Sequence, residues 1–374
     1  MNVYLTQSRF TYSTHVELLD DILFPQKVHW FPETYHKATT GMFYPPHKVA
    51  EKVLDPDLMA DLRENSAGKT AFILAAGNTN FSGISPHNKK PSRLSYAYKF
   101  LPLTLTQVYA ARVAQACGAS DQIITDSSAC ASSLKVLMDV SNLIQNYGFD
   151  RVIVLAVEDQ VSNSVLEFFG ETRAALLHEE ESKTGAVPSA FDSKNYGFYV
   201  GQGAAFAVFD SEQTVERSGI DPIARLMGAY SASEVINNAI GQREDGQGFA
   251  QAIKGAAYYA DINVEDIRTV KTHGTGTQSN NASESAGLRS VLKDFIATAY
   301  KPRIGHTMGV SGLLETLLLF EDMQSGFVPG IPNRSEEDAV FLSAHAPVPD
   351  GLVLSVAAGM GNIYSAAIFD RPCR

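Results

Sequence analysis

Cysteine is scarce in this chain: Cys117, Cys130 and Cys373 are the three in 374 residues. They are too few and too scattered for a disulfide framework or a CxxC metal pair, and they suit a reducing compartment. Basic charge is short as well. Lys and Arg number 30 against 41 Asp and Glu, for a net charge of −11, which excludes the clustered positive surface that counterion release from nucleic acid requires. No stretch approaches the roughly 18 consecutive apolar residues of a membrane span. The opening segment MNVYLTQSRFTYSTHVELLDD lacks the basic head and apolar run of a signal peptide. Low-complexity tracts and long linkers are missing too. These absences predict a cytoplasmic protein that engages neither nucleic acid nor membrane.

What is present is an apolar content of 45%, enough for a sizeable core. Short apolar runs alternate with helical patterns, as in α/β proteins. TAFILAAG (70–77), DQIITDS (121–127) and DRVIVLAVED (150–159) read as strands, while 105–118 and 133–148 read as helices closed by glycine. GFYVGQGAAFAVFDS (197–211) predicts a hairpin of glycine-punctuated strands. A second series begins near 218, with helices at 247–260, 282–295 and 312–325. Its strands fall at 267–274, 352–359 and 365–370. The pattern divides the chain into halves at 1–215 and 216–374. DSSACASSLKVLMDVSNLI and RIGHTMGVSGLLETLLLFEDM each join a strand-like segment through small residues to a Leu-rich helix. This points to duplication, with Cys130 and His306 at comparable strand-to-helix junctions.

That placement gives Cys130 chemical interest. Unpaired N–H groups and the dipole at a helix N-terminus favour an anion, so the thiol is expected to be partly ionised near neutral pH. Ser128, Ala129, Ala131 and Ser132 are small enough to admit a substrate. Taken alone, a free cysteine among small residues is as readily core packing. Two histidines are candidate partners. His273 ends a predicted strand and opens the turn HGTGT, and His306 enters a predicted helix with Lys301 five residues before it and Glu315 nine after. Each by itself is as readily a hydrogen-bonded structural histidine. No His/Asp/Glu set has the spacing of a zinc site, so no metal is expected.

Taken in order, DSSACASSL, THGTGT and KPRIGHTMGVSG resemble the nucleophile, first-histidine and Lys-to-His motifs of the β-ketoacyl synthases, the condensing enzymes of fatty-acid and polyketide synthesis. The likeness spans roughly 70–370 and takes in PSAFDSKNYGFYVGQGAAFAVF and the closing LSVAAGMGNIYSAAIF. The N-terminal 70 residues match poorly. The resemblance implies an α/β thiolase-like fold, two duplicated halves stacked as five αβαβα layers, dimerising edge to edge with itself or with a homologue. It implies Cys130 as acyl-carrying nucleophile, with His273 and His306 donating from Nε2 to a malonyl thioester. Lys301 and Glu315 would form an ion pair ordering the site around His306. The N–H groups of Cys130 and Met360 would make an oxyanion hole beside Gly359, and Thr275 and Thr277 would contact substrate. The partner implied is an acyl carrier protein, which brings phosphopantetheine with it, so no cofactor is expected. HNKKPSR (87–93) is a candidate docking patch for that acidic partner.

Several residues depart from the family pattern. Asn281 stands where an Asp is usual, with Glu284 kept, and Gln202 where many members have Glu. GMGN (359–362) replaces Gly-Phe-Gly-Gly, so Met360 takes the place of an aromatic gate beside the acyl pocket. A methionine there implies a looser gate or a different chain length, or only a neutral core swap. Two other readings accompany the elongating one: acyl transfer without elongation, and a chain-length-determining partner subunit. The second loses weight because such partners typically lack the nucleophile that Cys130 supplies. HGTGT, and the lack of a cysteine beside the C-terminal glycines, disfavour the Cys-His-Asn priming synthases and the thiolases. Cys373 reads as an incidental thiol.

Overall fold

A computed structural model describes residues 1–20, 22–31, 47–65, 67–77, 106–158, 163–236, 238 and 240–371. The patch at 87–93, most of the aromatic segment 29–48, and Cys373 lie outside them. Ten strands build one mixed sheet. In chain order they are β1 Val3–Tyr12, β2 Thr70–Ala75, β3 Gln122–Asp126, β4 Arg151–Glu158, β5 Gly203–Ser211, β6 Ala224–Ser233, β7 Ile267–Lys271, β8 Ile296–Thr298, β9 Leu352–Gly359 and β10 Ile363–Asp370. Their spatial order is 3-2-4-5-1-6-10-9-7-8. Read outward from the middle, each half runs first strand, fifth, fourth, second, third. The orientations repeat as well: two antiparallel pairings (β1 with β5, β5 with β4; β6 with β10, β10 with β9) precede two parallel ones. The halves meet where Val3, Tyr4 and Leu5 pair with Leu226, Arg225 and Ala224.

Strands β2, β4 and β5 are buried along their whole length because both faces are covered. In β2 every residue is buried, and alternate side chains enter different cores. Ala71 and Ile73 face an inner core, whereas Phe72 and Leu74 face an outer one. The inner core holds helices α2 (Ser132–Tyr147) and α5 (Ser311–Gln324) between the two half-sheets. Outer layers come from α1 (Thr106–Ala116) on the N-terminal side and from α3 (Gln247–Ala260) and α4 (Gln278–Val291) on the other. α5 is apolar nearly all round, as its central position demands. The five-layer α/β architecture inferred from the motifs is the one observed. No helix among the described residues is long and apolar enough to cross a membrane.

Three sequence expectations require correction. The segment 197–211 is not a hairpin: Val200–Gly201 leaves the large sheet to pair in parallel with Gln26–His29, and only Gly203–Ser211 enters it. Glycine punctuation marks that departure, not a turn. α4 begins four residues earlier than expected, directly after the HGTGT turn. The poorly matching N-terminus supplies β1, the strand on which the two half-sheets join; its half-exposed residues 7–12 hid it from a search for buried runs.

One carboxylate ties the loops behind the His273 turn. Asp192 accepts from the N–H groups of Lys194 (2.9 Å) and Asn195 (2.8 Å) and from the Ser335 hydroxyl (2.8 Å), and Phe191 stacks on Phe341 with centroids 3.8 Å apart. Burial would raise the Asp192 pKa, but the bonds from Asn195 and Ser335 outweigh it and hold it at about 2. A depressed carboxylate stabilises the fold above its ordinary value near 3.8 and loses that contribution as pH falls towards 2. Asp192→Asn is therefore expected to cost about 1–3 kcal/mol at pH 7 and to flatten the stability loss between pH 4 and 2, both read from urea unfolding.

Candidate active site

Cys130 lies in a single 3-10 turn, Ala129–Ala131, between the end of β3 and the start of α2. Ala129 adopts φ +48°, a left-handed conformation that non-glycine residues take at some cost. The Ser132 hydroxyl steadies the turn, donating to the Ala129 carbonyl (2.6 Å) and accepting from the Ser128 N–H (2.8 Å). The second half repeats the device. Met308, in the turn Met308–Val310 before α5, also has φ +48°. Cys130 thus matches Gly309 in the repeat, and His306 stands three residues ahead of that position.

His306 is 2% exposed and packs edge-on against His273 and Phe198, with centroids 5.7 and 4.9 Å apart. The Met308 N–H donates to His306 Nδ1 at 3.2 Å, with the Ser311 hydroxyl 3.1 Å from the same nitrogen. Because Nδ1 accepts, the proton sits on Nε2. His273 follows β7, and the carboxylate of Glu284 takes the N–H groups of His273 and Gly274 and the amide of Asn280. Glu284 thereby ties the turn that the Asn281 substitution left in question. Gly276 carries φ +73°, and a Cβ there would lie 1.9 Å from the Ser189 carbonyl, so the position requires glycine. Thr275 and Thr277 bond to each other through their hydroxyls at 3.1 Å.

Lys301 Nζ reaches Glu315 Oε1 at 2.8 Å and also the carbonyl of His273. The expected ion pair is present, but its direct bond goes to His273 and not to His306. Lys271, which the sequence reading passed over, donates to the other Glu315 oxygen at 3.3 Å. Its signal was available: a lysine closing the strand pattern IRTVK, two residues before the histidine. Glu158 was missed as well; it is 2% exposed and takes the Gly77 N–H at 3.1 Å. Gln202 holds an entering segment, accepting from the Phe31 N–H at 2.8 Å.

Cys130, His273, His306, Thr275, Thr277, Gly359 and Met360 all line one cavity of about 230 Å³. Phe168, Phe169, Phe198 and Ile240 add apolar walls that the sequence reading did not name. Met360 packs against the cluster that contains Cys130, Phe198 and Met308. A Cβ on Gly359 would lie 2.6 Å from the Ser128 carbonyl, so only glycine lets this strand end approach the Cys130 turn. Lys301 and Glu315 stand behind the wall, 1% and 0% exposed.

Burial dominates the electrostatics. It pushes the Cys130 thiol up to about 12, with Lys301 opposing and Glu158 adding to the rise, so the expected resting thiolate is replaced by a neutral thiol. Burial also lowers both histidines well below their ordinary value, and the Lys301 ammonium lowers them further. The cavity therefore holds a protonated sulfur beside two neutral imidazoles, one of which has its donor nitrogen fixed.

Family models match two long segments: the β-ketoacyl synthase N-terminal domain over residues 50–215 and its C-terminal domain over 223–335. The chain belongs to the β-ketoacyl synthase family. Within that family it is 27% identical over 282 residues to the tetracenomycin polyketide synthase ketoacyl synthase alpha subunit of Streptomyces glaucescens, covering 73% of this chain and 65% of that protein. It is 26% identical over 281 residues to 3-oxoacyl-[acyl-carrier-protein] synthase 2 of Mycobacterium bovis, covering 72% and 67%. The chain thus spans slightly less than two thirds of the first of these relatives. A crystal structure of a β-ketoacyl synthase from Burkholderia phymatum superposes with a TM-score of 0.83 at 19% identity, covering all of both chains. The ishigamide ketosynthase/chain length factor gives 0.81 at 18%, covering 100% of this chain and 99% of that one. These likenesses confirm the fold.

The protonation state of Cys130 is open to a direct test. Its alkylation by iodoacetamide, located by peptide mass spectrometry, is expected to climb about tenfold per pH unit from pH 7 to 10. A plateau near pH 8 would instead reveal a thiolate.

Proposed function

We propose that this chain is a 3-oxoacyl synthase, joining an acyl group held on Cys130 to a malonyl unit by decarboxylative Claisen condensation. The observation that carries the reading is a cysteine and two neutral histidines on one cavity wall, with His306 held as the Nε2–H tautomer. The Cys130 thiol attacks the thioester carbonyl of an acyl carrier protein. Its proton leaves through a neutral imidazole to the departing thiol, and the acyl group remains on sulfur. A malonyl thioester then binds with its carbonyl oxygen against His273 and His306. Carbon dioxide departs with its bonding pair left on the α-carbon, and the two Nε2–H groups stabilise the resulting enolate oxygen. The α-carbon attacks the acyl carbonyl, whose oxyanion faces the N–H groups of Cys130 and Met360. Collapse expels the sulfur, which takes up a proton.

Histidines kept neutral by burial suit this cycle, since an imidazolium could not accept the proton released by Cys130. Thr275 and Thr277 stand in the same cavity where the phosphopantetheine arm would lie. We place the enzyme in the cytoplasm, as a homodimer or paired with a homologous subunit. We set the division of the halves at 215/216, a junction that falls within the helix Glu212–Ser218. Fatty-acid and polyketide pathways both supply such substrates.

Intact-protein mass spectrometry with an acyl-carrier thioester is expected to show one acyl adduct on the wild type and none on Cys130→Ala. Malonyl carrier should then yield product longer by two carbons. An adduct without carbon dioxide release would favour plain acyl transfer, and no adduct with any carrier would favour a partner subunit. Because Met360 borders the cavity beside Cys130, Met360→Phe is expected to shorten the longest chain accepted, measured as the product distribution over a primer series. An unchanged distribution would make Met360 a neutral replacement.

A further inference from the structure

Lys271 takes no part in the condensation as described, yet it is 0% exposed. It sits at the end of β7, two residues before His273. Its Nζ donates to Glu315 Oε2 at 3.3 Å and to the Val356 carbonyl at 2.8 Å. Glu315 belongs to α5, the helix opened by the turn that follows His306. Val356 belongs to β9, four residues before Met360. One ammonium thus joins the three elements that carry His273, His306 and Met360. Lys301 already occupies the other oxygen of Glu315, so Lys271 is a second cation on a single carboxylate. Desolvating an ammonium costs several kcal/mol, and a methionine would fill the same space without that cost. Packing alone does not account for a charge here.

We propose that Lys271 is a positioning residue for the condensation: its ammonium fixes the His273 strand against Glu315 and against the strand ending at Met360, and sets a second positive charge behind both imidazoles. The inference rests on the condensing reading given above. The charged and titratable groups around the two rings are Lys271, Lys301, Glu315, Glu284, Glu158 and Cys130. After burial, the standing charges acting on both imidazoles are the ammonium groups of Lys301 and Lys271. Both push in one direction. A ring held neutral keeps its Nε2–H available to donate, and the same positive field favours the enolate oxygen that forms in front of it.

The test compares wild type, Lys271→Met and Lys271→Arg as full chains. Carbon dioxide release from malonyl carrier is measured from pH 5 to 9, beside NMR titration of the histidine imidazoles. Lys271→Met is expected to lower kcat at least about tenfold while KM changes less than about threefold. Its acid limb and the two imidazole titrations should move up by about one pH unit, and Lys271→Arg should restore the limb. A folded Lys271→Met with limb and titrations at wild-type positions would overturn the proposal. Should wild type release no carbon dioxide, the condensing reading fails separately, and the imidazole titrations still decide the role of Lys271. Should Lys271→Met not fold, Lys271→Gln takes its place, and a wild-type His273 or His306 titrating near the ordinary value of about 6.5 would overturn the proposal on its own.

Discussion

Glu315 is the one charge within the buried stretch of α5, and the active site depends on how that charge is satisfied. A carboxylate at 0% exposure among leucines is tolerable only with full compensation. Lys301 and Lys271 provide it, one on each oxygen. Each lysine also donates once to backbone: Lys301 to the carbonyl of His273, Lys271 to that of Val356. The compensation of one buried charge is therefore also the alignment of three segments. Helix, histidine turn and the strand ending at Met360 meet at this cluster, and loss of Glu315 would leave two ammonium groups buried without their counter-charge.

The same backbone device serves two chemistries. At Ala129 and Met308 the chain enters φ +48°, makes one 3-10 turn and runs into a central helix. In the first half the turn lifts Cys130 into the cavity. In the second, the N–H of the strained residue itself fixes the His306 tautomer. The repeated strand order explains how the two turns come together, since both central helices lie between the half-sheets with their N-termini at the cavity. A duplicated fold thus brings Cys130 and His306 to one cavity from matching turns, three positions apart in the repeat.

Burial sets the protonation states against the simplest expectation. The helix N-terminus favours a thiolate, but enclosure of Cys130 among Phe198, Met308 and Met360 disfavours the charged form more strongly. The histidines shift the other way from the same cause and stay neutral. In the proposed condensation, the enolate and the tetrahedral oxyanion appear only transiently, each opposite N–H donors. A low-dielectric cavity lined by aromatic rings strengthens those interactions.

The sequence by itself determined the elements whose pattern is local. Strands β2 and β4, helix α2 and the order of the three motifs follow from apolar runs, helical spacing and glycine stops within about 15 residues. Cys130, His273, His306, Lys301 and Glu315 were singled out through the resemblance of their motifs to one family, and the fold brings them to one cavity and the wall behind it. Only the tertiary structure decided what depends on distant pairing. β1 joins the halves across more than 200 residues, Val200–Gly201 leaves the sheet for Gln26–His29, and Lys301 turns its ammonium to the His273 carbonyl 28 residues back. Lys271 shows the limit most plainly. In sequence it is a charge in a strand; its meaning comes from Glu315 and Val356, 44 and 85 residues away. The thiol's protonation state likewise has no local signature, because the desolvation that sets it is supplied by side chains from both halves of the fold.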